Sequence, residues 1–384
     1  MKKKKFKWQQ WIAMGFFMLI GAACGVLMVL FVETSAAADA PLWQLGLTLL
    51  FLLVLMYLAI FTQLVIHEAG HLVFGLISGY QFSSFRIGSF MWLKENGKIV
   101  HRRLSLAGTG GQCLMAPPER TDGKIPVVLY NLGGCIMNLV GSAAFFVLYL
   151  MIDRGRFLSI FSLMMTVIGV GVALMNGIPM RMGTVDNDGY NAHSLRKSAD
   201  AMYAFWLQMK VNEQLSRGVR LREMPEEWFA LPSDEAMKNS MVATQGVFLC
   251  NRLMDQHRFG EADQLMAHLL AIDSGIIGLH RSLMICDRMY CELIRDNRQT
   301  VLEQMYDAEQ KKFMKSMKKF PSVVRAEYAY ALLAEHDHSK ADASLALFEK
   351  IGKTYPYPSD IQSERELMEI AASISEKKQG WGIR

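Results

Sequence analysis

The chain has 384 residues, 52% of them hydrophobic and 20% charged, with mean hydropathy +0.16. That apolar excess argues against a wholly soluble protein, and a net charge of only +5, with the surplus gathered at the amino end, argues against nucleic-acid binding. Six cysteines without a CxxC pair indicate neither a disulfide framework nor a thiolate zinc site.

In chain order, Lys2, Lys3, Lys4, Lys5 and Lys7 precede the first of four uncharged apolar runs. Clustered lysines beside such a run read as a cytoplasmic anchor drawn to anionic lipid. The runs are Ile12 to Val32, Leu42 to Ile66, Val127 to Ile152 and Leu158 to Ile178. Each suffices to cross a bilayer once, because a hydrocarbon slab of about 30 Å needs roughly 20 helical residues. Ala36, Ala37, Ala38 and Ala40 resemble a cleavage site, but the run before them is longer than a secretory signal core of about 7 to 15 residues, so a retained span is expected. The segment 81–126 carries seven Lys or Arg and the segment 33–41 none, which places the former in the cytoplasm and turns both termini inward.

The second run leads into His67-Glu68-Ala69-Gly70-His71. On a helix, residues four apart share a face, so both imidazoles can reach one metal ion while Glu68 stands beside its water. Ionisable groups within or at the edge of a membrane helix cost roughly 2.5 to 3.5 kcal/mol each on insertion scales, and they are seldom there without function. A helix from Leu42 to Ser78 would run about 55 Å at 1.5 Å per residue, which requires a tilt, a break or an interfacial end.

Next, Phe82 to Ile87, Phe90 to Leu93 and Lys98 to Leu104 read as strands, with Asn96-Gly97 as a hairpin corner and Gly108, Gly110 and Gly111 following. Cys113, without a partner histidine or asparagine in a thiol-protease signature, reads as packing. The third run holds Gly134-Cys-Ile-Met-Asn138, and the fourth ends in Asn176-Gly-Ile-Pro179 followed by Arg181 to Gly189. A catalytic zinc needs three protein ligands and an open position, so a further carboxylate or histidine must complete the pair. Asp186 and Asp188 are the candidates.

Together these segments resemble the site-2 protease family of intramembrane zinc metalloproteases, over roughly Leu42 to Asn191. The resemblance implies that His67 and His71 are zinc ligands, Glu68 the catalytic base and Asp188 the third ligand, with Asp186 able to take its place. It further implies that Asn138 binds the substrate strand or its polarised carbonyl, although Cys135 stands where the family has proline; an asparagine that merely joins helices is the competing reading. The stretch from Pro179 to Asp188 is longer than the family's, so it must bulge. The strand-rich segment with Gly110 to Pro118 corresponds to a sheet that can pair with an unwound substrate. No PDZ-like domain is recognisable.

Beyond Asp200 the pattern is that of a helical domain. Ala262, Leu265, Met266, Leu269 and Leu270 follow amphipathic spacing, as do Leu345, Phe348 and Ile351, and polar turns at 257–260 and 336–339 imply helical hairpins of tetratricopeptide-like composition. Cys286 and Cys291 read as helix core, and histidines outside the motif as ordinary polar residues.

The expected architecture is a mainly α, polytopic membrane protein. Residues 1–41 form the anchor and first span, 42–191 a protease core with a strand-rich insert at about 81–118, and 192–384 a cytoplasmic helical domain. The expected function is zinc-dependent hydrolysis of peptide bonds in or near transmembrane segments of tethered substrates. Its partners are the lipid bilayer, a membrane-embedded protein or peptide and, through the helical domain, a cytoplasmic protein. The competing expectation is an inactive membrane-anchored scaffold.

Overall fold

The computed structural model describes residues 8–34, 40–95, 97–104, 110–153, 156–180 and 186–381. The lysine cluster, Ala36 to Ala38, Asn96, Gly108 and Arg181 to Val185 lie outside these residues. The chain divides into two compact units, Met1–Gln81 with Ile125–Ser198, and Phe82–Lys124 with Ala199–Arg384.

The first unit is built on α1 (Trp8–Thr34), α2 (Leu42–Ile77), α3 (Val127–Met151) and α4 (Phe157–Gly177), followed by the short α5 (Asp188–Leu195). All four long helices have the length and composition to cross a membrane. On α2, Leu47, Leu50, Val54, Tyr57 and Phe61 recur at helical spacing and are each more than half exposed. Such a stripe is unfavourable in water and at home in hydrocarbon. The third helix packs against both α2 and α4, and α1 lies against α4. Cys24, Met28 and Phe31 of α1 meet Ile160, Met164, Met165 and Ile168 of α4 in one core that also includes Leu52 and Ala59. Helix α2 runs 36 residues without a break, about 54 Å at 1.5 Å per residue, so the whole HExxH motif is helical.

In the second unit, β1 (Gln81–Ile87), β2 (Phe90–Glu95), β3 (Lys98–Arg103) and β4 (Gly111–Ala116) form one sheet in the order β3-β2-β1-β4. Both hairpins are antiparallel. Ile87 pairs with Phe90 and Glu95 with Lys98, which leaves two-residue turns where Gly88 and Gly97 adopt φ of 58° and 78°. Only glycine takes that conformation without steric cost. Strand alternation buries Met91 and Leu93 while Phe90 and Trp92 stay exposed.

Among the described residues, nine α-helices complete the unit: α6 (Ala199–Ser216), α7 (Ser240–Asp255), α8 (Phe259–Ala271), α9 (Gly278–Ile294), α10 (Gln299–Met305), α11 (Ala308–Ser316), α12 (Pro321–Leu333), α13 (His338–Gly352) and α14 (Pro358–Trp381). By sequence order the strands fall within 42–191. In space, Met91, Leu93 and Leu104 share the apolar core of these helices, and the Arg103 amide donates to the Thr354 carbonyl at 2.8 Å. The sheet belongs with the helical unit because its buried face finds its apolar partners there.

Helical hairpins join α7 to α8, α9 to α10 and α12 to α13. Each turn contains one non-glycine residue of positive φ: His257, Asn297 and His336, at 59°, 50° and 53°. These positions are 40 and then 39 residues apart. Five residues after each stands a fully buried small or medium apolar side chain, Ala262, Leu302 and Ala341. The repeat length is therefore near 40 rather than the 34 of tetratricopeptide repeats. Leucine and asparagine in the middle hairpin, where its neighbours have alanine and histidine, hide the repeat from composition.

Two buried ionic knots tie α14 to the rest. Arg220 donates to Asp255 through Nε at 3.0 Å and to Glu366 through Nη2 at 2.9 Å. Arg325 donates to Glu364 at 2.8 Å and to Asp287, with its guanidinium 4.6 Å from the Tyr290 ring centroid. Near them, burial, reinforced by Glu364 and Asp255, pushes the Asp360 carboxyl up to about 7. A raised folded-state value means that the native protein binds the proton more tightly than the unfolded chain. The stability from this group is therefore complete below about pH 4 and is lost as pH rises toward 7. Unfolding midpoints measured from pH 4 to 8 should fall over that window, and Asp360→Asn should flatten the decline.

Candidate metal centre

Residues four apart on α2 present Gln63, His67 and His71 to α3, and all three are buried. The helices approach closely where glycine faces glycine: a Cβ on Gly133 would meet the Gly70 carbonyl oxygen at 2.6 Å. One residue on, a Cβ at Gly134 would come within 2.6 to 2.7 Å of the His67 ring. Side chains at either position would part the helices or push the imidazole aside.

Backbone carbonyls fix the ring tautomers. Asn138 Nδ2 donates to the Gln63 carbonyl at 2.9 Å and to Gln63 Oε1 at 2.7 Å, so its Oδ1 must face His67 Nδ1, 2.7 Å away. His67 Nδ1 therefore carries the hydrogen. His71 Nδ1 stands 2.8 Å from the Tyr130 carbonyl and carries one for the same reason. Both Nε2 atoms are left with lone pairs, and they converge at 3.3 Å. The Gln63 amide is itself held by donation from Nε2 to the Met165 carbonyl at 2.7 Å, which links α4 to the same chain of hydrogen bonds.

Asp188 arrives from the other side as the first residue of α5. Its N-cap, Asn187, accepts from the Met180 and Tyr190 amides at 3.0 and 2.9 Å and donates to the Met175 and Ile178 carbonyls at 2.8 and 2.6 Å. One carboxamide thus staples the end of α4 to the start of α5. The Asn187 amide also donates to the Met180 carbonyl at 3.3 Å. Met180 and Asn187 thus lie side by side, so the extra residues after Pro179 do not carry Asp188 away.

Asp188 Oδ2 lies 3.0 Å from His67 Nε2 and 3.5 Å from His71 Nε2, buried and accepting no hydrogen bond. Three electron-rich atoms in such proximity need positive charge among them. A proton satisfies one contact; a divalent cation serves all three. Zinc at 2.0 to 2.1 Å from each of three tetrahedral ligands sets them about 3.3 Å apart, and separations of 3.0, 3.3 and 3.5 Å fit that requirement. The second partner of each imidazole, an amide oxygen or a carbonyl, is also what a ligating histidine uses to fix its orientation.

The structure therefore brings together His67, His71 and Asp188, with Glu68 buried next to His67 on the same helix. Asp186 is half-buried, and the carboxylate that meets the imidazoles is that of Asp188. Asn138, which the resemblance assigns to the substrate strand, has both ends of its carboxamide engaged by His67 and Gln63. The sequence assigns no role to Gln63 or Asn187, and Cys135 enters it only as the residue that stands where the family has proline. Gln63 could have been found as a buried amide exactly one turn before His67 on the motif's own face. Cys135 and Asn187 carry no such signal, since their roles depend on a fold that brings separate segments together. Compared with protein-family models, curated proteins and solved structures, the chain matches none of them.

Asn138→Leu removes the acceptor that orients His67 and leaves Gln63 Oε1 without the donor that Asn138 supplies. It should weaken zinc retention by about 10- to 100-fold, the usual cost of losing a partner behind a ligating histidine, as read by competition with a chromophoric chelator.

Proposed function

We propose that this chain is an intramembrane zinc metalloprotease of the site-2 protease type. The observation that carries the reading is the convergence of two lone-pair imidazole nitrogens and one carboxylate oxygen at separations of 3.0 to 3.5 Å beside a buried glutamate. His67, His71 and Asp188 would hold the ion. Zinc there supplies Lewis acidity, acidifying water and polarising a peptide carbonyl.

Glu68 takes the proton from the attacking water and passes it to the departing amine nitrogen. Asn138 and the Tyr130 carbonyl keep the two rings aimed, so the ligand atoms need no reorganisation during the reaction. A transmembrane substrate has its amides satisfied within its own helix and must unwind before its carbonyl can be attacked, which favours segments rich in Gly, Pro or Asn. In this reading the four apolar helices cross the cell membrane with both termini in the cytoplasm, and the helical unit engages substrates or regulators there.

The competing reading is an inactive scaffold that binds partner proteins or membrane peptides. It draws on Cys135, a fourth potential donor beside the centre. Co-expression with tethered single-span reporters separates the two: cleavage by the intact protein and its loss in Glu68→Gln favour the protease, whereas the same fragments from both proteins would remove Glu68 from the mechanism.

A further inference from the structure

Cys135 takes no part in the reaction just outlined, yet its position is that of a ligand. It follows Gly134 on α3, it is 6% exposed, and its Sγ, a His67 ring nitrogen and an Asp188 carboxylate oxygen all lie within 4.8 Å of one another. Among the described residues these three form a group of side chains that could hold a metal ion, and His71 joins it through His67 and Asp188 rather than through the thiol. A second observation points the same way. Asp188 Oδ2 is buried without a hydrogen bond and faces lone pairs rather than donors, so the space the thiol borders already calls for a cation.

We propose that Cys135 is a fourth, displaceable ligand, whose thiolate closes the centre formed by His67, His71 and Asp188 and holds the protein in a latent state. The inference rests on the metal centre proposed above but not on proteolysis. Two imidazoles, a carboxylate and a thiolate make up a full tetrahedral set for zinc. Sulfur at about 2.3 Å and nitrogen at about 2.05 Å from one ion stand about 3.6 Å apart, so from His67 and Asp188 the thiol is short of that geometry by about 1.2 Å at most. On ligation the S–H bond breaks heterolytically: sulfur keeps the electron pair and shares it with the ion, and the proton leaves to solvent. A centre with four protein ligands has no place for water or a carbonyl oxygen. Cys135 must therefore withdraw, taking up a proton again, before hydrolysis begins. A chain that merely needed a small apolar side chain here could use alanine, which would have neither function.

Cobalt(II) substitution in the intact, detergent-solubilised protein tests this directly. The wild type should show a thiolate-to-cobalt charge-transfer band in the near ultraviolet beside the visible bands of tetrahedral cobalt. Cys135→Ser and Cys135→Ala should lose the ultraviolet band, keep the visible ones, and hold the metal at least about 10-fold less tightly. Reporter cleavage by metal-loaded Cys135→Ala should exceed that of the wild type, and cleavage at or below the wild-type level would overturn the latent state. Cobalt bound with visible bands but no charge-transfer band in the wild type would overturn the thiolate ligand and leave the three-ligand centre standing. Failure of the wild type to bind cobalt or zinc would overturn both. A thiolate band with no reporter cleavage by either the wild type or Cys135→Ala would support the ligand and count against the protease.

Discussion

Replacing Glu68 by glutamine is expected to lower peptide-bond cleavage by about 10²- to 10⁴-fold while zinc content stays at the wild-type level. The two side chains have nearly the same shape, and Glu68 is buried next to His67, so an isosteric exchange leaves α2 and its packing intact. What changes is basicity. A carboxylate can take a proton from water and return it to the leaving amine, whereas a neutral amide can do neither at any useful rate. Separation of metal content from turnover gives the test its force. Variants of His67, His71 or Asp188 should lose metal and cleavage together; Glu68→Gln should lose only cleavage. Normal zinc with undiminished reporter cleavage in Glu68→Gln would exclude general-base catalysis by this residue.

Arg325→Met should destabilise the helical unit by about 3 to 5 kcal/mol, the range found when one partner of a buried ion pair is removed. The guanidinium is inaccessible to solvent and bridges Asp287 of α9 and Glu364 of α14 from its place on α12. Methionine of similar length fills much of the volume, so the loss comes chiefly from two carboxylates left without a counter-charge in a low-dielectric interior. Stacking over Tyr290 is lost as well. The triple variant Arg325→Met, Asp287→Asn, Glu364→Gln removes the stranded charges and should recover a large part of the deficit. Chemical denaturation of the intact protein reads both. Equal instability of the single and triple variants would assign the effect to packing rather than to charge.

The outline of the protein was legible because its signals are local. Four apolar runs fall where helices of the necessary length form, and α2 and α3 begin at the residues the hydrophobicity pattern indicated, Leu42 and Val127. Gly97 turns its hairpin for a reason contained in one residue. Likewise, the four-residue spacing of His67 and His71 puts both rings on one helical face before any tertiary contact forms.

Other features required the folded chain. Which of Asp186 and Asp188 meets the imidazoles turned on Asn187, whose carboxamide binds partners seven, nine and twelve residues earlier in the chain. Asn138 and Gln63 find each other across 75 residues, and only that meeting fixes the His67 tautomer. The sheet shares a core with helices that begin more than 100 residues later, although the chain order sets it among the apolar helices. The 40-residue repeat is carried by burial and backbone conformation at His257, Asn297 and His336, not by residue identity. Periodicity along a chain determines which face of an element is apolar or metal-binding. Which faces then meet depends on closure of long loops and on glycines such as Gly133 and Gly134 that let backbones touch, and those are properties of the assembled fold.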